Sequence, residues 1–546
     1  MTRQPNFRAS QCPDDRNCVR RNEFWCKRPA DGGRRNETGC RADDGGRRNE
    51  FLRCTACGPA FFGHNPAIGR PGVITEKIPP RRAYSLTGRA LLIVPVLALL
   101  FGLLSTAAGA QTIHLPPVTR TRLANGVRLV IMEYHRAPTI TVRVSFAGGE
   151  RLDPEGKTGA TSLMAELMKR GTETRTAPQI AEAIDFLGGS LEVGADDERV
   201  SAGLDILAKD ADTGLDLMAD VLRHPTFPAE EIERSRSLEL SALKSIGEDP
   251  GRVASFVLTG TMYAGHPYGR EATITSVQAI TRDDILAAYG ASISTSHMIV
   301  VAVGDFKAAD MAAKLKARFG DWPTTGSPPA PAPPVVATKL RRILVDKPDA
   351  TQTQVRLARI GFPRTHPDYY AAQLADTILG GGFTSRLVDE IRVNKSLTYG
   401  ISSAFPTQKA GGLFEVQTFT KLETTRALLD NVRIVMAKTA QGGVTPAEFQ
   451  KARGYLAGQY AVHVQTPEAL AGELAAMAFY SLPDDYLETY LPRLRAVALP
   501  EVNRIARTYF APGALSTVLV GPAAKIASQL RGLGDFETVP IEKVAK

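Results

Sequence analysis

Cysteine is missing from most of this 546-residue chain. All six cysteines lie within the first 57 residues, and none follows them. The rest of the chain therefore does not depend on disulfide bonds for its stability. Among the six, only Cys54 and Cys57 have a spacing typical of a zinc or redox pair, and no histidine pair accompanies them.

Histidine pairs are missing as well. The chain contains eight histidines, but no His-x-x-x-His or His-x-x-Glu-His sequence occurs anywhere in it. Two imidazoles one helical turn apart are a common way to hold zinc on a helix. Their absence excludes a zinc site built from two histidines one helical turn apart.

Excess positive charge is confined to the start of the chain. Residues 1–89 hold 18 Lys and Arg against 9 Asp and Glu, whereas the remainder holds 48 of each. A neutral body lacks the basic surface of nucleic-acid-binding proteins, so we expect no nucleic acid partner. The Gly380-Gly381-Gly382 run is not followed by Gly-Lys-Ser/Thr, so we interpret it as a flexible loop rather than a phosphate loop.

The first segment, residues 1–72, has no apolar periodicity. It contains the heptapeptide Asp-Gly-Gly-Arg-Arg-Asn-Glu twice, at 31–37 and 44–50. Such a composition cannot bury a hydrophobic core. We therefore expect this segment to be disordered, or to precede the true start of the protein.

A signal-like segment follows over residues 73–110. Three arginines precede an apolar run over 90–104, and the small residues Ala-Gly-Ala at 108–110 are typical of a cleavage site. We expect export to the periplasm. The alternative is an uncleaved anchor over 90–110 that holds the protein at the inner membrane.

The body consists of two halves with the same order of patterns, separated by a proline-rich linker. The halves span 111–323 and 338–535, the linker spans 324–337, and a tail follows over 536–546. In each half a strand is followed by a helix, later by a turn and an N-capped helix at Pro-Ala-Glu, and at the end by a helix and an apolar strand. In the second half Thr445 and Glu448 are predicted to form the capping box of that helix. The corresponding segments are 139–146 and 353–360, 160–170 and 367–379, 227–234 and 445–451, 283–289 and 501–509, and 298–304 and 516–521. This order predicts an α+β fold in which two homologous halves, each a sheet covered by helices, enclose a cleft.

The helix predicted over 160–170 presents one face of chemical interest. Ser162, Ala165 and Glu166 lie at positions i, i+3 and i+4, which share a helix face. Two histidines and a glutamate in this arrangement would form a metal site. This helix offers one carboxylate and no imidazole.

Together these features resemble the insulinase/pitrilysin family of zinc peptidases, in its bacterial branch similar to the mitochondrial processing peptidase. The resemblance covers nearly all of 117–535 and implies the duplicated fold of that family. The segments that carry it are Leu-Ala-Asn-Gly-Val-Arg-Leu-Val at 123–130, Ser-Phe-Ala-Gly-Gly at 145–149 with the helix at 159–172, Gly-His-Pro-Tyr-Gly at 265–269, Gly-Gly-Gly-Phe-Thr-Ser-Arg-Leu at 380–387, and Ile-Arg-Val-Asn-Lys-Ser-Leu-Thr-Tyr at 391–399.

The resemblance also locates the family's zinc site, which is built from His-x-x-Glu-His and a distant glutamate. It places the two histidines at Ser162 and Glu166, the catalytic glutamate at Ala165, the third ligand near Ala242 and a supporting acid near Ser235. None of these positions carries the family's residue, and only Glu166 is able to coordinate a metal. Because a catalytic zinc ion needs three protein ligands, we expect no zinc on this chain.

In the second half, Arg392 and Tyr399 match a pair that the family uses on the substrate side of its cleft. The resemblance implies that the arginine holds a substrate carbonyl or carboxylate and that the tyrosine hydroxyl stabilises the developing oxyanion. The structural alternative is an ion pair between Arg392 and Asp389 or Glu390, with Tyr399 as a core aromatic.

The resemblance therefore predicts a zinc-free, peptide-binding subunit that is inactive alone and pairs with a zinc-bearing homologue. One alternative is a scaffold that binds a peptide or protein without chemistry, and another is an active metallopeptidase with atypical ligands. We expect an extended peptide to add to a sheet edge, with the edge strand in 139–147 or 412–419.

Overall fold

The computed structural model describes residues 115–327, 329–336 and 339–544. The predictions for 1–72 and 73–110 lie outside these residues. Across the described ranges, no helix combines the length and the apolar character needed to span a membrane.

The first half is a six-stranded sheet with helices. Its strands have the spatial order β1-β2-β6-β3-β5-β4, with β2 and β6 parallel and all other neighbours antiparallel. The strands are β1 (Val118–Arg122), β2 (Arg128–Glu133), β3 (Thr139–Ala147), β4 (Ser190–Ala195), β5 (Arg199–Leu207) and β6 (Met298–Gly304). The helices are α1 (Ala160–Leu167), α2 (Ala177–Leu187), α3 (Ala211–Arg223), α4 (Ala229–Ile246), α5 (Pro250–Met262), α6 (Ile274–Ala279), α7 (Arg282–Ser292) and α8 (Ala308–Phe319).

The second half is a second six-stranded sheet, in the order β12-β7-β11-β8-β10-β9. Its strands are β7 (Arg342–Asp346), β8 (Gln352–Ile360), β9 (Ile401–Ala404), β10 (Leu413–Lys421), β11 (Ser516–Gly521) and β12 (Glu537–Pro540). Its helices are α9 (Tyr369–Asp376), α10 (Thr425–Gly442), α11 (Pro446–His463), α12 (Pro467–Tyr480), α13 (Tyr486–Ala496), α14 (Leu499–Tyr509) and α15 (Ala523–Ile526).

Five strands of each sheet correspond one to one. Strands β7, β11, β8, β10 and β9 take the positions of β2, β6, β3, β5 and β4. The sixth strand differs, because β1 pairs antiparallel to β2 whereas β12 comes from the chain's end and pairs parallel to β7. The predicted duplicated α+β fold is confirmed.

The halves are interlocked through two exchanged helices. Helix α5 of the first half packs on β8 and β11, and helix α12 of the second half packs on β3 and β6. Strands β6 and β11 are consequently buried along their whole length, which explains their continuous apolar sequences. Residues of both halves line two cavities of about 580 and 920 Å³, which lie beside β1 and β2 of the first half.

The prediction of the edge strands is wrong. Strand β3, which spans 139–147, lies between β6 and β5, and β10 lies between β8 and β9. The edge strands are β1 and β4 in one sheet and β9 and β12 in the other. Apolar residues on both faces of β3 reflect cover by helices on both sides, including the exchanged α12, and such cover favours an inner strand.

The proline-rich linker is anchored on the first half. The guanidinium of Arg151 donates a hydrogen bond of 2.7 Å to the carbonyl of Ala330. The Nε2 atom of His266 lies 2.7 Å from the carbonyl oxygen of Pro333. The linker is therefore held against the protein by polar contacts along its length.

Candidate functional site

Helix α1 is set in place by a buried carboxylate at its start. Asp153 accepts hydrogen bonds from the backbone N–H groups of Gly159 at 2.8 Å and Thr161 at 3.1 Å. These are free donors of the helix N-terminus, where a negative charge is favourable. The positive φ of 99° at Gly159 lets the chain turn into the helix at this point.

The two positions expected to hold histidines make internal contacts instead. The hydroxyl of Ser162 donates to the carboxylate of Glu150. Glu166 accepts a hydrogen bond of 3.1 Å from Nε of Arg170, one helical turn further on. Neither side chain is directed to a shared coordination site.

The remaining positions of the site offer no ligand atom. Ala165 is fully buried in the core. Ala242 is exposed on α4, and Ser235 is buried on the same helix. No group of three or more His, Cys, Asp or Glu among the described residues has the geometry to hold a metal ion. The residues that stand here therefore do not fit a catalytic zinc ion.

Carboxyl groups that the sequence did not single out surround this helix. Burial raises the pKa of Glu150 to about 7, and nearby Asp153, Asp197 and Glu239 add repulsion. Burial likewise raises the pKa of Asp197 to about 6, with Glu271 among the repelling groups. Glu150 lies 12 residues before Ser162, outside every position of the zinc motif, so no spacing pointed to it. Glu150 is therefore about half protonated at neutral pH, and the helix carries a carboxyl–hydroxyl pair rather than a metal centre.

In the second half, two π-helical turns, Thr377–Gly381 and Val388–Asn394, frame the candidate substrate side. Such turns are rare and are often found at functional sites. Gly380 and Gly381 end the first turn, and Gly382 follows it in an extended conformation.

Close packing explains why glycine stands at these positions. A Cβ atom at Gly380 would lie 2.5 Å from the hydroxyl oxygen of Ser403, and one at Gly381 would collide with the Asp376 carboxylate. Ser403 in turn donates a hydrogen bond of 2.6 Å to Asp376. Burial raises the pKa of Asp376 to about 7. The first π-helical turn thus rests directly on a carboxyl group that is half protonated near neutral pH.

Arg392 is exposed on the second π-helical turn. Its guanidinium carbon lies 5.7 Å from the centroid of the Phe383 ring, and that side chain is 74% exposed. Glu390 pairs with Lys395 at 3.4 Å instead of with Arg392. Among the described residues, no carboxylate lies within ion-pair distance of Arg392, so the ion pair considered as its structural role does not form.

Tyr399 projects from a fixed loop into solvent. The residue is 81% exposed, and within the described part of the chain its hydroxyl has no hydrogen-bond partner. The backbone after Tyr399 is held, because the hydroxyls of Thr398 and Thr418 each donate a 2.9 Å hydrogen bond to the carbonyl of Gly400. Ser396 in the same loop has a positive φ of 52°, a conformation that is costly for a residue with a side chain. Tyr399 is therefore not a core aromatic.

Comparison with known families gives matches to both halves. The family model described as Insulinase (Peptidase family M16) matches residues 128–276, and the model described as Peptidase M16 inactive domain matches residues 279–456. With the duplicated fold and the altered ligand positions, these matches define a homologue of the zinc peptidases. The chain belongs to the insulinase family, peptidase family M16.

Individual proteins agree with this placement. The chain is 27% identical over 394 residues to a Mycobacterium leprae protein named "Uncharacterized zinc protease", with 71% of this chain and 88% of that protein covered. It is 23% identical over 386 residues to a Helicobacter pylori protein named "Non-peptidase homolog YmxG", with 70% and 89% covered. A solved structure titled as a peptidase M16 inactive domain from Pseudomonas fluorescens has a TM-score of 0.70 and 27% identity, and covers 74% of this chain and 98% of that one.

Proposed function

We propose that this protein is the zinc-free, substrate-binding subunit of an exported two-chain metallopeptidase. Its partner is a homologue with intact zinc ligands. The observation that carries the proposal is the contrast between the two halves. The metal-ligand positions hold alanine or side chains engaged in internal contacts, whereas Arg392 and Tyr399 are exposed and have no polar partner among the described residues.

The roles of the two side chains follow from their chemistry. The guanidinium of Arg392 has a fork of N–H donors that suits a peptide carbonyl or carboxylate. The hydroxyl of Tyr399 donates to the oxygen on which negative charge develops when the peptide carbonyl is attacked. When the partner closes over this surface and excludes water, both interactions gain strength. The attacking hydroxide would come from a zinc ion held by the partner chain.

The edge strand β9 offers a free backbone edge for a peptide close to Tyr399. It begins at Ile401, two residues after Tyr399, and among the described strands it pairs with β10 alone. An extended peptide that adds to its free edge by backbone hydrogen bonds passes close to the tyrosine hydroxyl. This strand replaces 139–147 and 412–419 as the proposed site of strand addition.

Export is part of the proposal and is supported by the sequence of residues 73–110 alone. A basic stretch, an apolar run and small residues at its end are typical of a secretory signal. The body's lack of cysteine agrees with a protein that needs no disulfide bonds in an oxidising compartment.

The experiment is to purify residues 111–546 alone and together with a zinc-bearing homologue, and to measure assembly, zinc content and peptide cleavage. We expect the isolated chain to hold no stoichiometric zinc and to cleave nothing, and the mixture to form a heterodimer that cleaves peptides. Stoichiometric zinc in the isolated chain contradicts the proposal. A stable complex that binds peptide without cleavage favours the scaffold alternative.

A further inference from the structure

The second half contains a cavity at the place that corresponds to the lost metal site of the first half. Helices α9 and α11 are the counterparts of α1 and α4. In each half the first helix of the pair follows β3 or its counterpart β8, and the second begins at Pro-Ala-Glu. The members of each pair are in contact with one another. Between α9 and α11 lies a cavity of about 880 Å³.

The wall of this cavity on α11 is open because of two glycines. Gly454 and Gly458 lie one helical turn apart, and a Cβ atom at either position would meet no other atom within 4 Å. Aromatic rings form much of the remaining wall, and two of them are stacked with centroids 4.2 Å apart. The tyrosines that line the cavity, together with one charged group described next, are Tyr369, Tyr455, Tyr460, Tyr486 and Tyr490.

The charged group is Arg364. Its guanidinium carbon lies 3.9 Å from the centroid of the Tyr369 ring and 5.2 Å from that of Tyr486. One guanidinium nitrogen donates a 2.6 Å hydrogen bond to the Tyr486 hydroxyl. Among the described residues no carboxylate lies within 4.0 Å of this guanidinium, although the side chain is half-buried. Glu473, which also lines the cavity, acts on this charge from beyond ion-pair distance, so the N–H donors that the Tyr486 hydroxyl does not use are left for an anionic ligand.

We propose that this cavity binds a carboxylate group of a peptide, with Arg364 as its anchor. The planar fork of the guanidinium matches a carboxylate, and the flanking tyrosine rings suit the apolar or aromatic side chain beside it. Glu473, which is hydrogen-bonded to His463 at 3.0 Å, also lines the cavity. This second charge disfavours multiply charged anions such as phosphate and favours a single carboxylate.

The proposed cavity site needs neither zinc nor the partner chain. It lies between helices of the second half and uses none of the side chains assigned to the substrate side. Peptide binding here is therefore measurable on the isolated chain, and its failure leaves the proposal for Arg392 and Tyr399 standing.

The test is isothermal titration of residues 111–546 with a tetrapeptide that ends in phenylalanine, as the free acid and as the amide. We expect binding of the free acid, and weakening by about ten- to hundred-fold in the Arg364→Met variant, which loses charge-assisted hydrogen bonds. The matched control is Arg359→Met, because Arg359 also stacks on a tyrosine ring, that of Tyr509 at 5.1 Å, but outside the cavity. The control variant is expected to bind as the native chain does.

A second variant separates loss of the site from loss of the fold. Gly458→Leu places a bulky side chain on the glycine wall of the cavity, where a Cβ atom meets no other atom within 4 Å, and leucine is a better helix former than glycine. We expect it to melt no lower than the native chain and to abolish binding of the free acid. An amidated peptide with an internal glutamate shows whether a side-chain carboxylate can take the place of the terminal one. Binding of this peptide or of the free acid supports the site. No binding of any peptide, unchanged binding in Arg364→Met, or equal affinity for inorganic phosphate overturns the proposal.

Discussion

Replacement of Asp376 by asparagine is expected to remove a loss of folding stability that the native chain shows as the pH rises. The carboxyl group accepts a 2.6 Å hydrogen bond from Ser403 and lies beneath the turn that carries Gly381. Asparagine keeps the size and an acceptor oxygen for Ser403 but is neutral at every pH. The substitution therefore removes the titration and leaves the contacts.

The sign and the size of the effect follow from the shift in pKa. Burial raises the pKa of Asp376 from 3.8 to about 7, so the folded chain holds this proton more tightly than the unfolded chain. Its contribution to stability is fully present below pH 3.8 and is lost as the pH rises to about 7. A shift of this size corresponds to at most about 4 kcal/mol. Because the side chain retains some contact with solvent, we expect about 2 kcal/mol.

The assay is urea unfolding of residues 111–546 at several values between pH 4 and pH 8. Relative to the native chain, Asp376→Asn is expected to gain about 2 kcal/mol of unfolding free energy between the lowest and the highest pH. Asp389→Asn, which alters an exposed carboxylate of the second π-helical turn, is the matched control and is expected to show no such trend. A difference between Asp376→Asn and the native chain that is the same at every pH, or that falls with pH, would refute the reasoning.

Two further substitutions test the packing of the second half. Gly380→Ala places a methyl group within 2.5 Å of the Ser403 hydroxyl oxygen and should destabilise the fold by about 1–3 kcal/mol. Gly454→Ala meets open space and should be neutral or stabilising. Equal melting temperatures for the two variants would contradict this expectation. Glu448→Gln should lower the free energy of unfolding by about 1–3 kcal/mol at pH 7, and by progressively less as the pH falls from 4.5 to 2. The reason is that hydrogen bonds from Arg386 lower the pKa of Glu448 to about 2. A loss measured by urea unfolding that does not shrink in acid would contradict this expectation.

The order of the elements was accessible from the sequence because it depends on local patterns. The apolar run at 298–304 and its counterpart at 516–521 form strands, as their repeat predicts. The capping residues Thr445 and Glu448 begin α11 at the expected place. Periodicity and capping are properties of neighbouring residues, so a single sequence contains them.

The sheet edges and the exchanged helices were not accessible in the same way. The apolar faces of β3 are the same whether its cover comes from its own half or from α12 of the other half. Residues 139–147 therefore gave no sign of the exchanged helix, although their two apolar faces agree with an inner strand. Contacts between segments more than 300 residues apart depend on the fold as a whole rather than on local spacing.

The candidate site shows the same division. The resemblance located Ser162, Glu166, Arg392 and Tyr399 by position, and the structure adds which of these side chains have internal partners. The pairing of Glu150 with Ser162 was missed because it joins a turn to a helix and follows no motif. The sequence therefore could not show which of these side chains are buried or which residues they contact.

The central claim is that Arg392 and Tyr399 act on a peptide whose cleavage depends on zinc held by a partner chain. The most direct measurement is the rate of peptide cleavage by the assembled pair, with the native chain and with the Arg392→Ala, Tyr399→Phe double variant. Both side chains are exposed, so the variant is expected to fold and to assemble normally. Loss of an oxyanion donor alone typically lowers the catalytic rate by about 100-fold or more, and we expect at least this loss. Cleavage by the variant pair at the native rate, with zinc on the partner, would contradict the claim.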